Sequence, residues 1–316
     1  MEAEVAEVEV EVEQDSMMAQ VFVVIVTFNS EGVIVDCLKS VLREKTLAII
    51  VIDNASTDGT VELVKQKFPK CQLIQLKSNV GYGSGNNIGI QKALEGQAEY
   101  VLLLNPDTVI TSQAIEQFIK AAKKRHDRGI FGPKIYLNKK MQQLWSVGGV
   151  IDANRFTAGL RGFQEQDTEK YNSEEECDFI SGTCMFIPSQ ILKRGLRFYE
   201  PYFLYYEDVE FSVGAVRLDY PSIIVPGAKI IHSETSQEAH YLPIKQYYLA
   251  RNHLLFVERN APFRVKLREV LRFPYTISEH VHKNDSMSVK GIRDYVLRKF
   301  GPYAKTTKET RPPSQT

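Results

Sequence analysis

AEYVLLLNPDTVIT, Ala98 to Thr111, carries a buried strand straight into a stiff turn. Tyr100 to Leu104 is an unbroken apolar run of strand length. Pro106 fixes its own φ and lacks an N–H, so strand pairing must stop there. Asp107 is thereby set just beyond the carboxyl end of a central strand, the edge at which open α/β sheets bind ligands. A carboxylate on such a turn suits a divalent cation held against a diphosphate. From this segment alone an ordinary Asp/Pro turn is an equal alternative, and the flanking sequence decides between them.

Outward from this segment, strand and helix signals alternate. VFVVIVTF (Val21–Phe28), LAIIVID (Leu47–Asp53), QLIQL (Gln72–Leu76) and GIFGPKIY (Gly129–Tyr136) read as further strands. Between them, Ile34, Cys37, Leu38, Val41 and Leu42 recur at helical spacing. Ser56, Thr57 or Asp58 can cap a helix carrying Val61, Val64 and Phe68. A Gly-rich turn from Gly81 to Gly85 opens a helix through Leu94, and Ile115, Phe118, Ile119 and Ala122 mark another. The alternation predicts an α/β fold with a doubly wound, mostly parallel sheet.

Beyond Tyr136 the pattern changes. Residues 137–177 are polar and read as hairpins and loops. DFISGTCMFIP (Asp178–Pro188) is strand-like, Tyr205–Tyr220 reads as a helix, and SIIVPGAKIIH (Ser222–His232) as a strand broken at Pro226-Gly227. From Ile244 to Phe300 the signals are helical and basic. The expected division is an acidic disordered tail (1–19), a main domain (20–240) with halves 20–136 and 137–240, a helical extension (241–305) and a disordered polar tail (306–316).

The 316 residues are 43% hydrophobic and 25% charged, ordinary for a soluble globular protein. Net charge is zero, but the first fifteen residues hold seven acids and no base, leaving +7 on the remainder. That bias suits an anionic substrate or membrane surface and is too weak for nucleic acid. The leader has neither the basic start nor the apolar core of a signal peptide, and no apolar run approaches the roughly 18 residues of a spanning helix. Cys37, Cys71, Cys177 and Cys184 are too widely spaced for a metal pair and fit buried thiols in a reducing cytosol. A cytoplasmic protein is expected.

GYGSGNNIG fails the dinucleotide fingerprint. Gly81 and Gly83 fit G-x-G, but Asn86 holds the third glycine position, and Asp53 precedes the glycines instead of following them. A Walker A sequence is also missing. In DNASTDGT (Asp53–Thr60), Asp53 ends its strand at the same sheet edge as Asp107, where it can accept from a base N–H while Asn54 and Ser56 order the turn. EDVE (Glu207–Glu210) has the acids of a solvated helix start, yet it follows the aromatic run Phe203 to Tyr206. Partial burial there raises a carboxylate's pKa and suits a general base. His232 ends a strand, more often as hydrogen-bonded structure than as a ligand. With Asp107 it gives a cation two protein ligands, leaving diphosphate oxygens and water for the rest.

Taken in order, VTFNSE, VIDNASTDGT, SNVGYGSGNNIGI, LLLNPDT, FISGTCMFIP, FLYYEDVEF, PGAKIIH and VKGIRDYVLRKFGP resemble the family 2 glycosyltransferases of GT-A fold, in particular their rhamnosyltransferase-like branch. The resemblance spans roughly Val21 to Tyr303. It implies an inverting, metal-dependent transfer of a sugar, rhamnose among the candidates, from a dTDP- or UDP-sugar to a glycan or lipid-linked acceptor, with Mg²⁺ or Mn²⁺ as cofactor. Thr27, Asn29 and Glu31 would line the nucleotide pocket, with Asp53 at the base and Asn54 beside it. Asn79, Gly83 and Asn86 would hold ribose and phosphates. Asn105 and Asp107 would stand for the acidic metal motif, Asp107 and His232 holding the metal. Asp208 would be the catalytic base, with Glu207 its neighbour.

The chain departs from that branch in three places. Glu210 stands where an Asp is usual, Gly214 where an Arg is usual, and Asp219 where a glycine usually ends the helix. Asp tolerates the left-handed conformation of that cap better than most residues. The missing Arg reads as structural, tied to the helix acids, and Arg217, on a neighbouring turn, is one candidate substitute. A non-catalytic nucleotide-sugar-binding paralogue is the alternative this leaves, and a nucleotidyltransferase is disfavoured because no Lys/Arg-bearing glycine loop follows the first strand. The basic C-terminal helices suit either a solvated cap or peripheral contact with the inner face of a membrane, and a homo-oligomer stays open.

Overall fold

The computed structural model describes residues 20–44, 48–232 and 238–303, without the side chains of 238–242. The acidic leader and polar tail read from the sequence lie outside these. Strands and helices alternate first as β1 (Val21–Thr27), α1 (Ile34–Val41), β2 (Ala48–Asp53), α2 (Thr60–Lys67), β3 (Gln72–Gln75), α3 (Tyr82–Glu95) and β4 (Tyr100–Leu104). Then come β5 (Thr108–Ile110), α4 (Ala114–Lys124), β6 (Ile130–Tyr136), β7 (Leu144–Ser146), a hairpin of β8 (Gly149–Ile151) and β9 (Ala158–Leu160), and β10 (Glu175–Cys177). The chain continues through β11 (Cys184–Pro188), α5 (Ser189–Lys193), α6 (Glu207–Val216) and β12 (Ser222–His232). It closes with α7 (Glu238–Asn260), α8 (Phe263–His282) and α9 (Ser286–Val296).

The main sheet runs β10-β12-β6-β11-β4-β1-β2-β3. β1, β2, β3 and β4 are mutually parallel, as are β6 and β12. β11 enters antiparallel between β4 and β6, so the sheet is mixed at its centre. The period-2 alternation of β1 explains the double winding. Val21, Val23 and Ile25 face a core shared with α1 and α4, while Phe22, Val24 and Val26 face one shared with α3 and α5.

Four elements differ from the sequence reading. Only Cys184–Pro188 of the expected 178–188 strand pairs as strand, and Asp178 to Thr183 is a connecting segment. The helix expected over 205–220 spans Glu207–Val216, because Tyr205 (φ 67°) and Tyr206 (φ 75°) are left-handed and Asp219 (φ 66°) ends the following turn. The break expected at Pro226-Gly227 is a register shift between Val225 and Lys229 within a continuous β12. α7 begins at Glu238, ahead of Ile244, where the helical signals of the sequence start.

Asp219 bears a left-handed conformation that glycine adopts without a Cβ penalty. Asp219→Gly is expected to raise stability by about 0.5–1 kcal/mol, read as a higher urea midpoint with unchanged slope.

Candidate active site

Parallel pairing of Thr27 with Asp53 and of Ile25 with Leu104 ends β1, β2 and β4 at one sheet edge. Side chains there interlock the β1–α1 and β2–α2 loops. Thr27 Oγ1 donates to Asp53 Oδ1 (3.1 Å), and Ser56 N–H donates to Asp53 Oδ2 (3.0 Å). Asn29 Oδ1 accepts from Thr57 N–H (2.8 Å), and Glu31 Oε2 accepts from Gly59 N–H (3.0 Å). Asn54 reaches the next loop, accepting from Val80 N–H and donating to Gly81 O. Asn79 Oδ1 accepts from Gly81 N–H. Gly81 itself is left-handed (φ 90°), and a Cβ there would lie 2.5 Å from Phe203 O. Gly83 faces Phe198 and Glu207, and buried Asn86 donates to Tyr82 O.

A second group gathers around a cavity of about 470 Å³, lined among others by Asn105, Asp107, Trp145, Gly182, Glu207, Asp208 and His232. The residues of the first group do not line it. β5 explains how Asp107 meets His232. Antiparallel pairing sets Thr108 opposite His232, and Asp107 Oδ2 lies 3.2 Å from His232 Nε2. The Trp145 ring stands edge-on to the imidazole, centroids 4.8 Å apart. Asn105 Oδ1, Asp107 Oδ1 and His232 Nδ1 are buried with no hydrogen-bond partner. Such orphaned atoms fit a ligand that supplies the missing contacts. Among the described residues no cluster of three or more His, Cys, Asp or Glu forms a closed metal cage. The donor set therefore fits a hard cation only in an open arrangement shared with other oxygens.

Across the cavity, Asp208 Oδ2 accepts from Gly182 N–H and Oδ1 from Val209 N–H, both at 2.9 Å. Tyr82 OH donates to Gly182 O, bracing that peptide from α3. Burial raises the Asp208 carboxyl above its ordinary value, and the amide bonds pull back against it. Glu207 is 4% exposed, Oε2 has no partner, and burial followed by repulsion from Asp208 pushes its carboxyl well up. The two acids share one environment and titrate as a pair.

Residues the sequence reading missed hold this pair in place. Asn252 on α7 spreads its amide N–H groups over the carbonyls of Tyr202 (3.0 Å), Leu204 (2.7 Å) and Tyr205 (2.8 Å). Buried Arg251 donates to Tyr202 O and Gly301 O, both at 2.7 Å, with its guanidinium over the rings of Tyr247, Tyr248 and Phe300. Their only signal was an adjacent Arg and Asn in a helical stretch already read as basic. The expected role of Arg217 is corrected. Glu210 is bound by Arg259 of α7 (Nη2 to Oε1, 2.7 Å), Asn260 and Tyr202 OH. The helix acid is thus met by a cation from another helix, and a Cβ at Gly214 would lie 3.0 Å from the Leu196 side chain.

The model of the family described as Glycosyl transferase family 2 matches residues 22–195. The chain is 24% identical over 275 residues to an N-acetylglucosaminyl-diphospho-decaprenol L-rhamnosyltransferase of Mycobacterium tuberculosis, covering 78% of this chain and 87% of that one. It is 23% identical over 269 residues to the dTDP-rhamnosyl transferase RfbF of Shigella flexneri, covering 81% and 86%. A solved mannosyltransferase from Pyrobaculum calidifontis, in complex with GDP-Man and Mn²⁺, superposes with a TM-score of 0.54 at 15% identity, covering 88% of this chain and 74% of that one. The central sheet and flanking helices are thus of GT-A type.

Asn252→Ala is expected to cost about 2–3 kcal/mol, because it strips carbonyls buried in a strained segment. In denaturant melts the loss appears as a lower midpoint, and in assays turnover falls further than donor affinity. Glu207→Gln is expected to melt higher than the parent at neutral pH. A carboxyl raised by folding stabilises fully below its unfolded pKa and loses that contribution as pH rises toward its folded pKa, so the gain grows with pH across that window. A melting series from acid to neutral pH reads it.

Proposed function

The chain belongs to glycosyl transferase family 2 and is a glycosyltransferase, and on that premise we propose an inverting, metal-dependent transfer from a dTDP- or UDP-sugar. The observation that carries the reading is one cavity with a half-buried, raised carboxyl at Asp208 on one side and the Asp107–His232 pair on the other. Asp208 Oδ takes the acceptor hydroxyl proton as that oxygen bonds to the anomeric carbon, and the carbon–oxygen bond to the nucleoside diphosphate breaks on the opposite face. Glu207, whose carboxyl is pushed well up by burial and then by the neighbouring Asp208, holds its proton more tightly than an ordinary carboxyl beside the base. Bound Mg²⁺ or Mn²⁺ would be held by Asp107 and His232, with Asn105 beside them, and would supply charge neutralisation to the departing diphosphate.

Donor placement divides by loop. Thr27, Asn29, Glu31, Asp53 and Asn54 form a rigid interlocked rim suited to the nucleoside, with Asn79 bracing the Gly81 turn. Gly83 and Asn86 are proposed to act by packing α3 close to α6 and the nearby aromatic side chains, so that this rim and the acids keep one spacing. The names of the two relatives favour rhamnose as the sugar and a lipid-linked glycan as the acceptor. The free thiols suit a cytoplasmic protein working where such an acceptor meets the inner membrane face. No helix among the described residues is long and apolar enough to cross a membrane. The non-catalytic alternative rests on Gly214, and the Arg259–Glu210 ion pair supports the catalytic reading over it.

Calorimetric titration with UDP and dTDP, with and without Mn²⁺ or Mg²⁺, is expected to give metal-dependent binding of one nucleotide, lost in Asp107→Ala. Asp208→Asn is expected to lower turnover by roughly 10²–10⁴-fold while nucleotide binding persists. Undiminished transfer in Asp208→Asn would remove it as the base. The parent enzyme's pH–rate profile is expected to rise across an acidic limb lying above the ordinary carboxylate range.

A further inference from the structure

α8 presents an apolar face with no cover among the described residues. Phe263 is 77% exposed, Val270 68%, Leu271 74% and Tyr275 66%, with Leu267 and Val281 also open. At 100° per residue these six share one face. Val265 and Glu269 point the other way and are buried against the body. Isolated exposed apolar side chains are ordinary, but a contiguous helical stripe marks a contact surface.

The charges beside the stripe identify its partner. Exposed Arg264 and Arg268 run along one flank, with half-buried Arg272 in the same row, and half-buried Lys266 lies on the other. The acids of α8 are Glu269, buried beneath it, and Glu279, paired with Lys283 at 2.6 Å. The exposed face is therefore apolar at its centre and cationic on both sides, the pattern of a helix lying in the headgroup region of an anionic bilayer. A second copy of this chain would set basic flank against basic flank whether the helices paired parallel or antiparallel.

The face also has a physical connection to the cavity. Arg268 donates to Asn154 O at 3.0 Å, at the tip of the β8–β9 hairpin, and β9 residues Ala158 to Leu160 form part of the cavity wall. His253 of α7 contacts Arg155 O in the same turn. These contacts connect α8 to the wall beside Asp208.

We propose that the exposed face of α8 is a docking surface for an anionic lipid bilayer, which brings the cavity wall to the surface where a lipid-linked acceptor resides. The purpose of the surface rests on the acceptor reading above, whereas its existence stands on α8 alone.

The test is co-sedimentation of the full chain with vesicles of phosphatidylglycerol and phosphatidylcholine mixed equally, against vesicles of phosphatidylcholine alone. The expected result is binding to the mixed vesicles that weakens with added salt, and little binding to the neutral ones. Leu267→Glu with Leu271→Glu is expected to abolish it, and Arg264→Gln and Lys266→Gln to weaken it about fivefold each. All four side chains avoid the core, so unchanged melting and unchanged nucleotide titration serve as the fold control. Parent protein that ignores anionic vesicles, or variants that bind as well as the parent, would overturn the proposal. So would a lipid-free dimer that Leu271→Glu dissociates, since the stripe would then be an interface between copies. A chain without transferase chemistry fails nucleotide titration and assay on a water-soluble acceptor, which sedimentation does not read, so the two failures are distinguishable.

Discussion

The start of α6 is held by hydrogen bonds from a helix some fifty residues further along the chain. Asn252 and Arg251 collect the carbonyls of Tyr202, Leu204 and Tyr205, in a segment where Phe203, Tyr205 and Tyr206 all have positive φ. Non-glycine residues in that region each cost about 1–3 kcal/mol. Four short hydrogen bonds at about 1 kcal/mol each offset much of that cost. The strain persists because it turns the chain sharply enough to deliver Glu207 and Asp208 into the cavity as the first residues of α6. The same turn lets Phe203 O accept from Tyr82 N–H, so the segment also caps α3. One latch thereby ties the start of α3, the acid pair and the C-terminal helices together.

The acid pair shows why the latch matters chemically. A carboxylate at a helix start is ordinarily solvated and stabilised by the helix dipole. Here burial opposes that, raising both groups, and the Gly182 amide returns part of the stabilisation to Asp208 alone. Two neighbouring acids with different hydrogen bonding acquire different tendencies to ionise. Glu210, one turn on, is met by Arg259, so the acid at the rear of the segment has its own counter-charge from α7.

Several elements were legible from residue order because they depend on local pattern. The uniform apolar runs of β1, β2 and β4 predict a sheet covered on both faces, and the Pro106 turn predicts a carboxylate at its edge. The bulge near Pro226-Gly227 and the left-handed Asp219 follow from the same backbone rules. The antiparallel entry of β11 was hidden, since a buried strand reads alike in either direction. The delayed start of α6 was hidden as well, since Tyr205 and Tyr206 adopt left-handed backbone only because distant groups hold them. The choice of Arg259 over Arg217 is of the same kind. Arg217 is the neighbour in sequence, and only the packing of α7 brings a guanidinium to Glu210.

By itself the sequence determined the α/β alternation, the sheet edge that carries Asp53 and Asp107, and the candidates Asp53, Asp107, Asp208 and His232. These follow from hydrophobic period and backbone stereochemistry, which act over a few residues. The tertiary structure alone decided which of those groups meet. β5 pairing brought Asp107 to His232, and α7 set the position of Asp208. It also decided that α8 turns an apolar, basic-flanked face outward, because helical period reports two faces and only packing selects the one to bury.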